Sequence, residues 1–190
     1  SWSTMLAQNG YSRRALELFE SMKGSCIKLN YITLLGVLFA CSHAGLVEDG
    51  WRYFRSMKKI YGIDPGREHY ACMLDLLARA GKLQEAVKLM EEMDFEPDVV
   101  MWRTLLDGCR VHKNVDLAMH AAEKILKLNP QDAGSYIILS NIYANAQRWD
   151  EVAKIRRAMN EKGIRKEPGC SWIEVDKQIH AFTLGDDSHP

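Results

Sequence analysis

The chain has 190 residues with 25 basic and 25 acidic side chains, so its formal net charge is zero. This balance argues against binding driven by a strongly positive field, although selective recognition of a single strand through side chains and stacking stays open. Hydrophobic residues make up 47% of the sequence, which is ample for a continuous core. The five cysteines form no CxxC pair, and they indicate small buried side chains rather than a disulfide framework.

Similar amphipathic segments recur along the whole chain. They end at Met22, Met57, Met93, Ile125 and Met159, which are 35, 36, 32 and 34 residues apart. A second series keeps the same register: Leu34, Tyr70, Trp102 and Tyr136. A period of this length with two helices per unit is typical of an α-solenoid, in which stacked helix pairs form an extended binding surface.

Helical periodicity and helix breakers place the first three units. The first covers residues 1–30, with its second helix over 12–23. The second covers 31–66, breaks at Gly45 and resumes at Val47. The third covers 67–98 and breaks at Gly81 and Lys82. The junctions after the second and third units are marked by Pro65 and Pro97, because a helix cannot continue through proline.

The last two helix pairs resemble tetratricopeptide repeats. The fourth unit covers 99–132 and breaks around 112–114; the fifth starts at 133, breaks at 147–148 and runs to about Gly163. We expect these side chains to hold the pairs together: Pro130, Tyr136, Leu139, Ile142, Tyr143 and Trp149.

The character of the sequence changes after the fifth unit. Pro168 and Gly169 stop the helix, and residues 171–175 and 178–183 predict two short strands. The longest apolar run, 32–41, is too short to cross a bilayer. The predicted fold is an all-α right-handed solenoid of five helix pairs with a short C-terminal β-hairpin.

The amino-acid sequences of the units resemble those of a known protein family. Five segments closely resemble the final repeats of a plant PLS-class pentatricopeptide-repeat protein. They are SWSTM, ALELFESM, ACSHAGLVEDGWRYFRSM, YGIDP and EHYACMLDLLARAGKLQEAVKLMEEMDFEPD. Residues 99–132 and 133–167 resemble its paired E motifs, and 168–190 resembles the E+ segment that leads toward a DYW-type cytidine deaminase.

The resemblance implies a part in C-to-U editing of organellar transcripts. The expected partners are single-stranded organellar RNA and, through the E motifs, editing cofactor proteins or a deaminase; no membrane or DNA partner is expected. The expected compartment is the mitochondrion or the chloroplast, with the mitochondrion slightly favoured. The sequence shows no signal or transit peptide, but we expect this chain to be a fragment, so that absence says nothing about the full-length protein.

The family also implies which side chains face the RNA: one near the start of each first helix and the last residue of the unit. We call these the reading positions. In the first unit they are Ser3 and Asn30, a pairing that resembles the family's adenine-selecting combination. The alternative is that Ser3 is an exposed residue at a helix start and Asn30 is a helix cap. In the second unit the reading positions are Leu35 and Gly66, whose side chains cannot form hydrogen bonds with a base. In the third unit, Ala71 departs from the family pattern, while Asp98 can accept from a base.

Four basic residues that are not assigned to base selection offer possible contacts with the RNA backbone or with a partner protein. Arg103 takes the early reading position of the fourth unit, and no base is assigned to it. Lys162, Arg165 and Lys166 form a small basic cluster that also suits a solvated helix end.

No catalytic centre is predicted in this chain. A zinc deaminase needs H-x-E and P-C-x-x-C, and neither occurs in the sequence. Cys41 with His43, and Cys109 with His112, are interpreted as packing residues rather than metal ligands, so no metal or other cofactor is expected. Two alternatives stay open: a tetratricopeptide-like protein scaffold without RNA contact, and a fragment whose full-length protein carries its own deaminase.

Overall fold

The computed structural model describes residues 12–23, 30–165, 170–175 and 178–183. Within these ranges the chain forms nine helices followed by two strands. They are α1 (Ser12–Lys23), α2 (Tyr31–Ala44), α3 (Val47–Tyr61), α4 (Arg67–Arg79), α5 (Leu83–Glu91), α6 (Val99–Val111), α7 (Val115–Leu128), α8 (Ala133–Asn145), α9 (Trp149–Glu161), β1 (Cys170–Val175) and β2 (Gln178–Thr183). The predicted first helix of the first unit lies outside the described residues.

The turn between the two helices of a unit has a recurring left-handed residue. Gly45 and Gly81 have φ angles of 69° and 74°, a conformation that glycine adopts without steric cost. The fourth and fifth units place Lys113 (φ 57°) and Gln147 (φ 58°) at the equivalent turns. These later turns therefore have the same shape as the earlier ones, but without the residue that favours it.

The helix pairs stack in one direction. First helices α2, α4 and α6 pack against one another in sequence, and α8 joins the stack through α7. The α4–α6 approach is close, because a Cβ atom added to Gly108 would lie 2.8 Å from the Cβ of Ala78. Among the described elements, extensive contacts join helices of the same unit or of adjacent units. This pattern confirms the α-solenoid.

A single hydrophobic cluster runs along the stack, from Phe19 in α1 to Val152 in α9. Leu38, Leu77 and Leu106 are almost completely buried at successive levels of it. Apolar burial along this continuous core is the main source of stability, as expected where no unit can cover its own apolar faces.

The predicted hairpin is also confirmed. Strands β1 and β2 are antiparallel, with Trp172 opposite Ala181 and Ile173 opposite His180. In the part of the chain that the structure describes, no helix has the length and apolar character needed to cross a membrane.

The structure corrects one expectation about the fifth unit. Tyr136, Leu139, Ile142 and Tyr143 are buried as predicted, but Trp149 is 65% exposed. Pro130, predicted to pack with them from the end of the fourth unit, is also exposed. Trp149 is the first residue of α9, a helix that packs extensively only on α8 among the described elements. Contact with a single neighbour covers one stripe of α9, and Trp149 is largely outside that stripe.

Candidate nucleic-acid interface

The last residues of three units are helix N-caps. Asn30 Oδ1 accepts from the Thr33 backbone N–H at 2.9 Å, and Asp98 Oδ1 accepts from the Met101 N–H at 3.0 Å. Asp132 caps α8 in the same way. Capping places these polar side chains at the start of each first helix, because an N-cap must reach back to the free N–H groups of the first turn. Their alignment along one edge follows from the stacking of the units.

The second unit ends differently, at Gly66. A Cβ atom there would lie 2.0 Å from the hydroxyl oxygen of Tyr31, so the tyrosine side chain occupies the space that a cap would need. Tyr31 donates to the Glu68 carboxylate at 2.5 Å, and this bond raises the pKa of Tyr31 to about 12. The ring of Tyr31 also meets that of His69 edge-on at 4.2 Å. Aromatic packing therefore fills this position in place of a base-reading side chain.

His69 is fully buried beneath this edge. Its Nδ1 accepts from the Gly66 N–H at 3.3 Å, and its Nε2 lies 3.1 Å from the Tyr31 carbonyl oxygen. Because a carbonyl can only accept, Nε2 carries the proton and Nδ1 does not, which defines the neutral imidazole. Burial lowers the pKa of His69, although the hydrogen bond to Tyr31 opposes the shift.

Arginines contact the two aspartate caps. Arg67 Nη1 lies 3.3 Å from Asp98 Oδ2, and Arg103 Nη2 lies 2.5 Å from Asp132 Oδ1. Asp132 is the more enclosed acceptor, with 12% of its side chain exposed against 42% for Asp98. Burial alone would raise the pKa of Asp132, but hydrogen bonds from Ser135 and the nearby Arg103 lower it. Asp132 therefore stays ionised and paired.

The early reading positions differ in accessibility. Leu35 and Ala71 are half-buried, and Ala71 packs against the hydrophobic core. Arg103 is exposed. Ser3, the early position of the first unit, lies outside the described residues.

Two exposed apolar side chains lie beside the caps, and sequence reasoning missed them. Ile32 and Val100 are the second residues of α2 and α6, and they are 57% and 68% exposed. Each follows a cap, Asn30 or Asp98, by two residues. The signal in the sequence was an apolar residue at a helix start where solvent exposure normally favours a polar one. Such a side chain can pack against the flat face of a base.

The C-terminal basic cluster is partly engaged within the protein. Lys162 Nζ donates to the Tyr136 hydroxyl at 2.7 Å and lies 5.5 Å from the centre of its ring. Arg165 is exposed. Lys166 lies outside the described residues.

In each cysteine–histidine pair, the cysteine is buried and the histidine is exposed. Cys41 and Cys109 are buried, and burial raises the pKa of their thiols to about 12 and about 11. The His43 ring contacts Phe39, while His112 Nε2 lies 3.0 Å from the Arg79 carbonyl oxygen. Across the described ranges, no three histidine, cysteine or acidic side chains are grouped so that they could hold a metal ion.

Comparison with protein-family models accounts for nearly the whole chain. The pentatricopeptide (PPR) repeat model matches residues 1–27, 32–60 and 68–96, and a pentatricopeptide repeat domain model matches 87–129. The E motif model matches 112–174. The chain belongs to the pentatricopeptide repeat family. Its E motif match covers most of the fourth and fifth units and reaches into the hairpin.

Plant pentatricopeptide repeat proteins are similar over the full chain. One Arabidopsis thaliana relative, named mitochondrial, is 68% identical over 193 aligned residues, covering 100% of this chain and 31% of its own length. Another, named chloroplastic, is 49% identical, again over 100% of this chain and 23% of its own length. The chain thus spans less than a third of either relative.

Solved structures share the fold at low sequence identity. The pentatricopeptide repeat protein PPR10, in complex with an 18-nt psaJ RNA element, has a TM-score of 0.68 at 20% identity, covering 85% of this chain and 24% of that one. The PPR domain of Arabidopsis thaliana protein-only RNase P 1, in complex with tRNA, has a TM-score of 0.66 at 16% identity, covering 87% and 89%.

Proposed function

We propose that this chain is the RNA-site recognition and docking segment of an organellar C-to-U editing factor. The observation that carries the proposal is the edge formed by Asn30 and Asp98. Each is a polar cap at the start of a first helix, and each is followed two residues later by an exposed apolar side chain, Ile32 or Val100. Hydrogen bonding to base edges together with apolar contact to base faces suits a flexible single strand.

The capping geometry favours a particular use of Asn30. Its Oδ1 already accepts from both the N–H and the hydroxyl of Thr33, at 2.9 and 3.0 Å. The amide Nδ2 can then donate to an acceptor on a base, and N1 of adenine is an acceptor at the Watson–Crick edge. In Asp98, one carboxylate oxygen caps α6, and the other is within reach of Arg67. Asp98 accordingly contributes a weaker preference, for a base with N–H donors.

The finer assignment follows the motif order. Residues 1–98 would be the last three repeats, 99–167 the E motifs that dock cofactor proteins or a deaminase, and 168–190 the segment leading toward a catalytic domain. Relatives named mitochondrial and chloroplastic support an organellar site of action. The editing chemistry would come from a deaminase in the same protein or recruited to it.

Base substitution tests the proposal directly. In RNA oligonucleotides bound by the protein, adenine opposite the first unit should give the highest affinity. Asn30→Asp keeps a cap oxygen for Thr33 but removes the amide donor, so the preference should move from adenine toward guanine by about tenfold in relative affinity. An unchanged preference would show that Asn30 only caps α2.

Asn30→Ser is the matched control, because serine caps a helix but cannot present an amide to a base. It should leave stability close to that of the parent and flatten the base preference. The scaffold alternative predicts that no oligonucleotide binds, whatever its sequence, while a partner protein does.

A further inference from the structure

A groove of about 470 Å³ opens between the second helices α5 and α7. Its floor is apolar and is built from α5, the loop after it and the start of α6. The floor residues are Val87, Met90, Met93, Phe95, Pro97 and Trp102. Two of them are methionines, whose flexible thioether side chains adapt to different apolar surfaces.

The rim of the groove is acidic. Glu91, Asp94 and Glu96 line it on one side, facing Lys124 and His120 of α7. Among the residues that the structure describes, no salt bridge involves any of these three carboxylates. The third unit as a whole carries eight acidic and four basic residues, a net charge of −4 in a chain whose net charge is zero. Excess negative charge is thus found at this unit, and also in residues 168–190, which have four acidic side chains and one basic side chain.

The floor is held in place by contacts within the protein. The Arg67 guanidinium lies 4.3 Å from the centre of the Phe95 ring, and Tyr70 meets that ring edge-on at 5.5 Å. Trp102 is contacted by His120 at 5.7 Å. A preformed floor lowers the entropic cost of binding, because its side chains are already ordered.

From this combination we propose that the groove binds a basic peptide segment of a partner protein. Lysine or arginine side chains of the segment would face Glu91, Asp94 and Glu96, while an aliphatic or aromatic side chain would lie on Met93 and Trp102. Complementary charge favours this class of partner, whereas the phosphates of a nucleic acid would be repelled. The groove extends from α5 to α7, and its floor reaches the start of α6, where Pro97 precedes the cap Asp98. Its lining includes none of the cap side chains, so the proposal does not rest on RNA reading.

Synthetic peptides test the proposal on the 190-residue chain. The probe is a short peptide in which lysines and arginines flank two leucines. The control peptide replaces every lysine and arginine with glutamate. Binding is followed by the indole N–H signal of Trp102 in a ¹H–¹⁵N spectrum, assigned with Trp102→Phe, and by isothermal titration calorimetry. The basic peptide should shift that signal, and the acidic peptide should not.

Charge-reversal variants separate the groove from general charge effects. Glu91→Lys combined with Glu96→Lys should weaken binding of the basic peptide about tenfold, since two rim attractions become repulsions. Glu161→Lys combined with Glu174→Lys changes the net charge equally at exposed positions outside the groove, and should leave the affinity within about twofold. Met93→Gln tests the floor without changing charge and should weaken binding about threefold. Circular dichroism would establish that each variant is folded.

Three results would overturn the proposal. The first is an unshifted Trp102 signal with the basic peptide, and the second is equal weakening by the two charge-reversal pairs. The third is a Trp102 shift caused by single-stranded RNA instead of the peptide, which would identify a nucleic-acid site.

Discussion

Arg103 Nη2 lies 2.5 Å from Asp132 Oδ1, so the two reading positions of the fourth unit form an ion pair with each other. Asn30, the cap of the first unit, differs in that its hydrogen bonds to the described residues are made through Oδ1. An arginine and an aspartate that satisfy one another have little to gain from a base, because a base would have to replace an existing charge-assisted hydrogen bond. We therefore expect the fourth unit to extend the edge without selecting a base.

The first prediction concerns this pair. Varying the RNA base opposite the fourth unit should change the dissociation constant of the parent protein by less than about twofold. Arg103→Ala should make the same position base-sensitive, because Asp132 then has a carboxylate oxygen free to accept from a base. Affinity measurements with all four bases would check both statements. A strong base preference in the parent protein would contradict the closed pair.

Asp132 caps α8 as well as pairing with Arg103, and the two contributions to stability can be measured separately. Asp132→Ala removes both the cap of α8 and the ion pair, and should lower the free energy of unfolding by about 1–2 kcal/mol. Asp132→Asn keeps a cap oxygen for Ser135 and loses only the charge, so its cost should be smaller. Urea denaturation of the two variants would measure the difference. Equal losses would mean that the cap contributes nothing.

Close packing of α4 and α6 gives a steric prediction. Gly108→Ala would bring a Cβ atom to 2.8 Å from Ala78 Cβ and 3.0 Å from the Ala78 carbonyl oxygen, and the backbone cannot yield cheaply. We expect a loss of about 1–3 kcal/mol in the free energy of unfolding. Gly134→Ala is the control, since its added methyl would meet only Asp132 Oδ2, at an ordinary 3.7 Å. That variant should be neutral or slightly stabilising, because alanine favours a helix over glycine.

Burial of neutral His69 predicts a pH dependence. Its pKa in the folded chain lies below the ordinary value of 6.5, so the unfolded chain binds the proton more tightly. The stabilisation is complete above pH 6.5 and is lost as the pH falls below it, by at most about 1.4 kcal/mol per pH unit. Urea denaturation at several pH values would measure this loss.

His69→Gln should remove that part of the pH dependence, although the variant will be less stable at every pH. An identical slope in parent and variant would show that other groups cause it. The tautomer is open to an independent check, because ¹⁵N chemical shifts of the imidazole should show the proton on Nε2.

Much of the fold could be predicted from the residues. Helix breakers at Gly45 and Gly81 and prolines at the unit junctions place the helix ends, since these residues act locally. The second helix of the first unit was predicted over 12–23 and is observed over Ser12–Lys23. The hairpin also follows from a local signal, the β-type residues on either side of a short turn.

The interface could be predicted only in part. The positions of Asn30 and Asp98 follow from the repeat register, but the partners of Asp98 and Asp132 do not. Arg67 and Arg103 reach these carboxylates across 31 and 29 residues, and whether they do so depends on how stacked hairpins are rotated. The exposure of Trp149 could not be predicted for a similar reason. It depends on which elements pack against α9, and the sequence of α9 does not determine them.

The neighbour-only contacts of the stack have an evolutionary consequence. Since a helix pair needs only a matching pair on each side, duplication or deletion of a whole unit would change the length of the protein without requiring a new interior. Gene rearrangement can therefore lengthen or shorten the binding surface of such a protein by whole units. Single substitutions at the caps can then change the binding preference of each added unit separately.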